Sequence, residues 1–163
     1  SSSPLALALR SLPSWRSENS CAWDDYECTS DPDEGDFIAF TIEELRSRGA
    51  AGNVYAVGSS NGAALAHRLA ANASPDLPIK GIVADVAQLL SSPARSGPGS
   101  LNYNQPGRGS SPVSVMSVMG TSDPLIPYLG GSSRVFDGDD AFRLHSALDS
   151  MAVWAEYNSC AGA

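Results

Sequence analysis

Lysine is almost absent from this chain: of its 10 basic residues only Lys80 is a lysine, and they face 18 acidic residues, for a net charge of -8. A surface of that sign cannot release counterions from nucleic acid, so nucleic-acid binding is not expected. Attraction to an anionic membrane surface is excluded on the same ground. No apolar run approaches the roughly 20 residues that span a bilayer. The apolar stretch Leu5 to Leu9 has no basic region before it and does not read as a signal peptide. Histidine is limited to His67 and His145, and cysteine to Cys21, Cys28 and Cys160, none of them at metal-ligand spacing with histidine. No metal and no cofactor is expected. Cys21 and Cys28 lie in one polar loop, where a local disulfide and unpaired thiols are equally open readings. Asn72-Ala73-Ser74 fits a glycosylation sequon, but Pro75 follows it and disfavours its use.

What is present suits one domain. The 163 residues rule out a two-domain enzyme or a long repeat array, and 42% hydrophobic residues suffice for a core. Serine is abundant, with 15 Gly and 11 Pro beside it, so long irregular connections are expected. Residues 1–36 read as an irregular acidic segment. Its run Asp31-Pro32-Asp33-Glu34-Gly35-Asp36 faintly resembles a calcium loop, but Gly is misplaced and the closing Glu is missing. A solvated turn leading into a helix is the better reading. From residue 37 to 160 apolar patterns alternate. Ile38, Ile42 and Leu45 recur at helical spacing, and Gly49 ends the run. Asn53–Val57 is a short β-prone run, Asn61–Asn72 is an Ala- and Leu-rich helix, and Ile79–Ala84 and Val113–Met119 are further strands. Ser91–Pro112 is a Ser/Gly/Pro-rich loop insertion carrying Tyr103, read as a surface insertion rather than a wall of the site. Leu144, Leu148, Met151, Ala152 and Ala155 suggest one face of a closing helix. This order predicts an α/β fold with a parallel sheet covered on both faces and functional groups beyond the carboxyl ends of its strands.

After the first of these strands comes Gly58-Ser59-Ser60-Asn61-Gly62, a G-x-S-x-G sequence at a strand-to-helix turn. The turn is tight enough to strain the serine backbone, and side chains two residues before and after would collide, so both are Gly. It lifts the Ser60 hydroxyl to a helix N-terminus, where free N–H groups favour developing negative charge, and the Asn61 N–H would be one oxyanion donor. After the last strand comes Asp123 within Gly120-Thr121-Ser122-Asp123-Pro124-Leu125-Ile126-Pro127-Tyr128. Alone, Asp123 reads equally as a turn-capping carboxylate before proline. Following Ser60 in that order, it reads as the acid of a hydrolase triad. His67, two turns down the elbow helix, reads as a packing or capping group, and His145, placed within the closing helix, as a poor general base.

The stretches Val54–Ala63 and Gly120–Tyr128 resemble the secreted esterases grouped as polyhydroxybutyrate depolymerases and feruloyl or acetylxylan esterases. Pro13-Ser14-Trp15 with Cys21, Asp33 through Ile38, and Trp154 through Cys160 add to the likeness, which runs from Pro13 to Cys160. The resemblance implies an α/β-hydrolase-like fold, no cofactor, a secreted location, Ser60 as nucleophile, Asp123 as triad acid, and ester substrates from plant cell walls or polyesters. The chain departs from the family at Ala63, which replaces an elbow glycine, and has no His-Gly oxyanion segment before Pro13. The family's catalytic histidine lies beyond the Asn-x-Cys end. The fold is therefore expected to be incomplete, lacking upstream strands and the final strand with its histidine loop. Two functions follow: a serine ester hydrolase, or a non-catalytic interaction subunit whose open sheet edges a protein partner covers.

Overall fold

The computed structural model describes residues 4–9, 34–92, 111–134 and 143–160. Cys21, Cys28, most of the acidic run and the body of the Ser91–Pro112 insertion, with Tyr103, lie outside the described residues.

Short apolar segments alternate with helices, and the chain pairs them as that pattern requires. Strand β1 (Leu5–Leu9) is followed by helix α1 (Glu34–Ser47), strand β2 (Val54–Ser59), helix α2 (Asn61–Ala71) and strand β3 (Ile79–Asp85). Then come β4 (Leu90–Ser92), β5 (Ser114–Val118), β6 (Gly131–Ser132), β7 (Arg143–Leu144) and helix α3 (Ala147–Tyr157). The main sheet has the order β1-β2-β3-β5, with every pairing parallel. A small antiparallel sheet, β4-β7-β6, stands beside it. The architecture is mixed α/β with a four-stranded parallel sheet.

Helices α1 and α2 and the strands β2, β3 and β5 match the sequence reading to within a few residues. Leu5–Leu9 does not: it was expected inside an irregular segment, yet it pairs in register with Val54–Gly58. One strand upstream of Pro13 therefore exists. Five alternating leucines and alanines carry no turn residue and gain their ladder only from a partner some fifty positions later, which local pattern cannot reveal.

One core binds the sheet to its helices. Ile38 and Ile42 of α1, Ala66, Leu69 and Ala70 of α2, and Trp154 of α3 meet Val54, Ala56, Ile79 and Ile82 of the sheet. The isoleucine, leucine and valine side chains among these, when fully buried, each contribute about 2 kcal/mol. Gly62, Ala63, Ala66 and Ala70 are all buried, so small residues bring α2 close to the strands beneath.

Among the described residues the sheet is not covered on both faces, as its short apolar strands suggested it would be. Strand β2 alternates buried and exposed residues, the pattern of a sheet with one solvated side. Across the open face, register aligns Ala8, Val57, Val83 and Met116 in one row, and Val57 and Met116 are 41% and 59% exposed. Helix α3 also differs from expectation. It starts at Ala147, so Leu144 belongs to β7 and His145 precedes the helix. Its buried face is Ala147, Ser150 and Trp154, while Leu148 is 68% exposed. Ser146 sets this start by accepting the Asp149 N–H at 3.0 Å, a side-chain cap that fixes the helix phase.

The far end of α3 is tied to the sheet by one amide. Asn158 Oδ1 accepts the Val113 N–H at 2.9 Å, and its Nδ2 donates to the Val113 carbonyl at 2.8 Å. Val113 is 1% exposed, so no water replaces a lost partner. Asn158→Ala is expected to lower stability by about 2–3 kcal/mol, read as a shift in the urea midpoint at unchanged slope.

Candidate active site

Three strands of the main sheet end in one row. Ser59 pairs with Asp85, and Asp85 with Val118, so β2, β3 and β5 finish level at the carboxyl edge. Ser60 lies one residue beyond that row on β2, and Asp123 lies a few residues beyond it on the chain leaving β5. Two strand spacings separate β2 from β5, about 10 Å.

Ser60 occupies the N-cap of α2 with φ 53° and ψ -121°. Left-handed φ with this ψ is costly for any residue bearing a Cβ. The surroundings enforce it. A Cβ on Gly58 would sit on the carbonyl of Gly62 and 2.6 Å from the Ala63 nitrogen, so the backbone before the serine presses on the backbone after it. A side chain at residue 58 would thus collide, as the G-x-S-x-G spacing predicts. The Ser60 carbonyl accepts the Ala63 and Ala64 N–H groups, at 2.9 and 3.1 Å. Its hydroxyl makes no capping bond and its side chain is exposed. A serine at an N-cap ordinarily spends its oxygen on the helix, whereas this one leaves it free. The Asn61 N–H, at the first helical position, has no acceptor among the described residues.

Asp123 does what its local sequence suggested. Its Oδ1 accepts the N–H groups of Leu125 at 2.8 Å and Ile126 at 2.9 Å, an Asx turn before Pro127. Those two bonds, Ile126 first and then Leu125, hold its carboxyl below the usual carboxylate range, so it is ionised at neutral pH. Its Oδ2 has no partner among the described residues. The loop carrying it is stitched down farther on. Gln88 Nε2 donates to the carbonyls of Pro127 at 3.1 Å and Tyr128 at 3.3 Å, and the Tyr128 carbonyl accepts the Ala147 N–H. Gly130 closes the loop with φ +75°, and a Cβ there would meet the backbone of His145 and Ser146 at 2.6 Å. The Pro-Tyr pair is an anchor.

Neither histidine joins Ser60 to Asp123. His67 is 2% exposed. Its Nδ1 accepts the Trp154 Nε1–H at 3.1 Å, and the two rings stack 5.9 Å apart. That leaves the proton on Nε2, toward the Ala87 backbone. Burial outweighs this backbone bond and brings its pKa down from 6.5 to about 4. It is a packing residue, as the sequence suggested. His145 lies between β7 and the N-cap of α3, its N–H donating to the Leu89 carbonyl at 2.8 Å. No hydrogen bond of its ring is found among the described residues.

Sequence reading passed over Gln88 and Asp85. Gln88 gave no signal, since a lone glutamine between apolar residues has no motif. Asp85 had one: it follows directly on a predicted strand whose end lies beside the elbow. At the opposite end of α2, the Asn72 amide of the sequon donates to the Arg68 carbonyl at 2.8 Å. No group of three or more potential metal ligands occurs among the described residues.

Two outcomes follow. Ser60→Gly, free of Cβ strain at φ 53°, is expected to be about 1 kcal/mol more stable than Ser60→Ala by chemical denaturation. For His67 the unfolded chain binds a proton below pH 6.5, whereas the folded chain does so only below about 4. Stability from this residue is therefore complete above pH 6.5 and falls by about 3 kcal/mol as the pH drops from 6.5 to 4. Urea midpoints across that window should fall more steeply for the parent chain than for His67→Gln.

No protein-family model, curated protein or solved structure matches this chain.

Proposed function

We propose that the chain carries the nucleophile and the triad acid of a serine ester hydrolase of α/β-hydrolase type. The observation that carries this reading is the Ser60 backbone, held at φ 53° and ψ -121° between a strand end and a helix start, with its hydroxyl uncommitted. Proteins keep strain of this kind where chemistry uses it.

In this reading Ser60 Oγ attacks the carbonyl carbon of a carboxylic ester as its proton passes to a base. The tetrahedral oxyanion is received by the Asn61 N–H at the α2 N-terminus. Its collapse expels the alcohol and leaves an acyl-enzyme, which water hydrolyses by the same route in reverse. Asp123, ionised and fixed by two backbone N–H groups, orients the imidazole and stabilises it as it becomes a cation. His67 cannot serve as base, since its Nδ1 is committed to Trp154 inside the core. The base is an imidazole supplied from outside these residues, or His145. Esters of the feruloyl, acetylxylan or polyester kind are the substrate class the sequence resemblance suggests.

A second reading is a non-catalytic interaction subunit on the same scaffold. The exposed apolar row Val57–Met116 on the open sheet face favours it.

Incubation with a fluorophosphonate probe and peptide mass mapping decides between them. The hydrolase reading expects one adduct at Ser60, absent in Ser60→Ala and formed about a thousandfold more slowly in Asp123→Asn. A folded chain left unlabelled sinks it and favours the interaction subunit.

A further inference from the structure

We propose that Asp85 is a positioning residue that holds the Ser60 elbow in its strained form, through the hydroxyl of Ser59. This inference rests on Ser60 being the nucleophile.

Asp85 grips two consecutive residues of the elbow. Its carbonyl accepts the Ser60 N–H at 2.8 Å, and its carboxylate Oδ2 accepts the Ser59 Oγ–H at 2.8 Å. The first bond continues the β2–β3 ladder one step past the strand end. The second lies on the open face of the sheet, opposite α2, where Ser59 and Asp85 face each other in register. Ser60 is thus squeezed from the helix side by the contact of Gly58 with Gly62, and held from the other side by Asp85.

The chain after Asp85 is bent to allow this. Val86 has φ 58°, a left-handed conformation rare for a β-branched residue, and its N–H donates to the Val118 carbonyl at 2.9 Å. Asp85 is thereby tied to β5 by the residue that follows it and to β2 by its own carbonyl and carboxylate. A second strained residue beside the first, on the neighbouring strand, indicates that the two strand ends are set against each other. A surface Ser–Asp pair serving only the ladder needs no left-handed valine next to it.

Releasing Oδ2 lets the Ser59–Ser60 peptide relax and moves Ser60 Oγ off its line of attack. The rate of bond formation should suffer while probe affinity does not. Asn keeps an oxygen for the Ser59 hydroxyl, so it should substitute for Asp. The experiment measures fluorophosphonate labelling against probe concentration in the full chain and in Asp85→Ala, Asp85→Asn, Ser59→Ala and Ser59→Ala/Asp85→Ala. Expected are a fall of about ten- to a hundredfold in maximal rate for Asp85→Ala at unchanged half-saturation, a similar fall for Ser59→Ala, and no further fall in the double variant. Asp85→Asn should stay within about threefold of the parent. Parent-like labelling by Asp85→Ala, additive losses in the double variant, or an equal loss in Asp85→Asn would each overturn the proposal. If the parent chain itself is not labelled, the hydrolase reading fails, and amide exchange at Ser60 decides the clamp. Exchange about tenfold faster in Asp85→Ala, with the rest of β2 unchanged, upholds it, and unchanged exchange overturns it.

Discussion

The contact between Gly58 and Gly62 governs the carboxyl edge of this protein. It lets the backbone leave β2 and enter α2 with a single residue between them. That residue has no conformational choice, and Ser60 takes a left-handed φ. The same contact brings α2 down onto the sheet, where Ala63, Ala66 and Ala70 are small enough to let it lie close. Helix position, core packing and exposure of the serine hydroxyl therefore have one origin. A methyl group at residue 58 would disturb all three.

Much of this was legible because the relevant rules are local. Gly58-Ser59-Ser60-Asn61-Gly62 declares its own collision, and the helix that follows is written in alanine and leucine. Ile38 and Ile42 announce a buried stripe, and both are buried. Asp123 was readable as a turn residue because proline follows it, and it makes that turn. What could not be read depends on distant partners. Leu5–Leu9 is a strand only because Val54–Gly58 lies beside it. Leu144 and Leu148 fit a helical stripe until the Ser146 cap starts the helix after His145 and turns Leu148 outward. Apolar strands suggest coverage of both sheet faces, but among the described residues alanine and valine also populate an exposed one.

The two histidines divide by environment. His67 is drawn into the core by Trp154, and burial then disfavours its charged form. A buried imidazole of this kind links α2 to α3 and is unsuited to proton transfer at neutral pH. His145 escapes that fate because β7 ends just before it and the α3 cap just after, leaving its ring half-buried on a connection. Asp123, beyond β5, carries a charge held by two backbone N–H groups, those of Ile126 and Leu125.

The parallel order β1-β2-β3-β5 also sets the order in which the chain can fold. Strands β2 and β3 are joined through α2 alone, a short loop to close, so this βαβ unit is the natural nucleus. Among the described residues strand β1 pairs only with β2, across the whole of α1 and the long segment before it. During synthesis β1 therefore leaves the ribosome with its leucines exposed and no partner yet made. Its docking must wait for the elbow strand. The strained turn is in this way the seed of the sheet as well as its edge, and slow closure of that seed would lengthen the time for which an apolar strand is open to association with other chains.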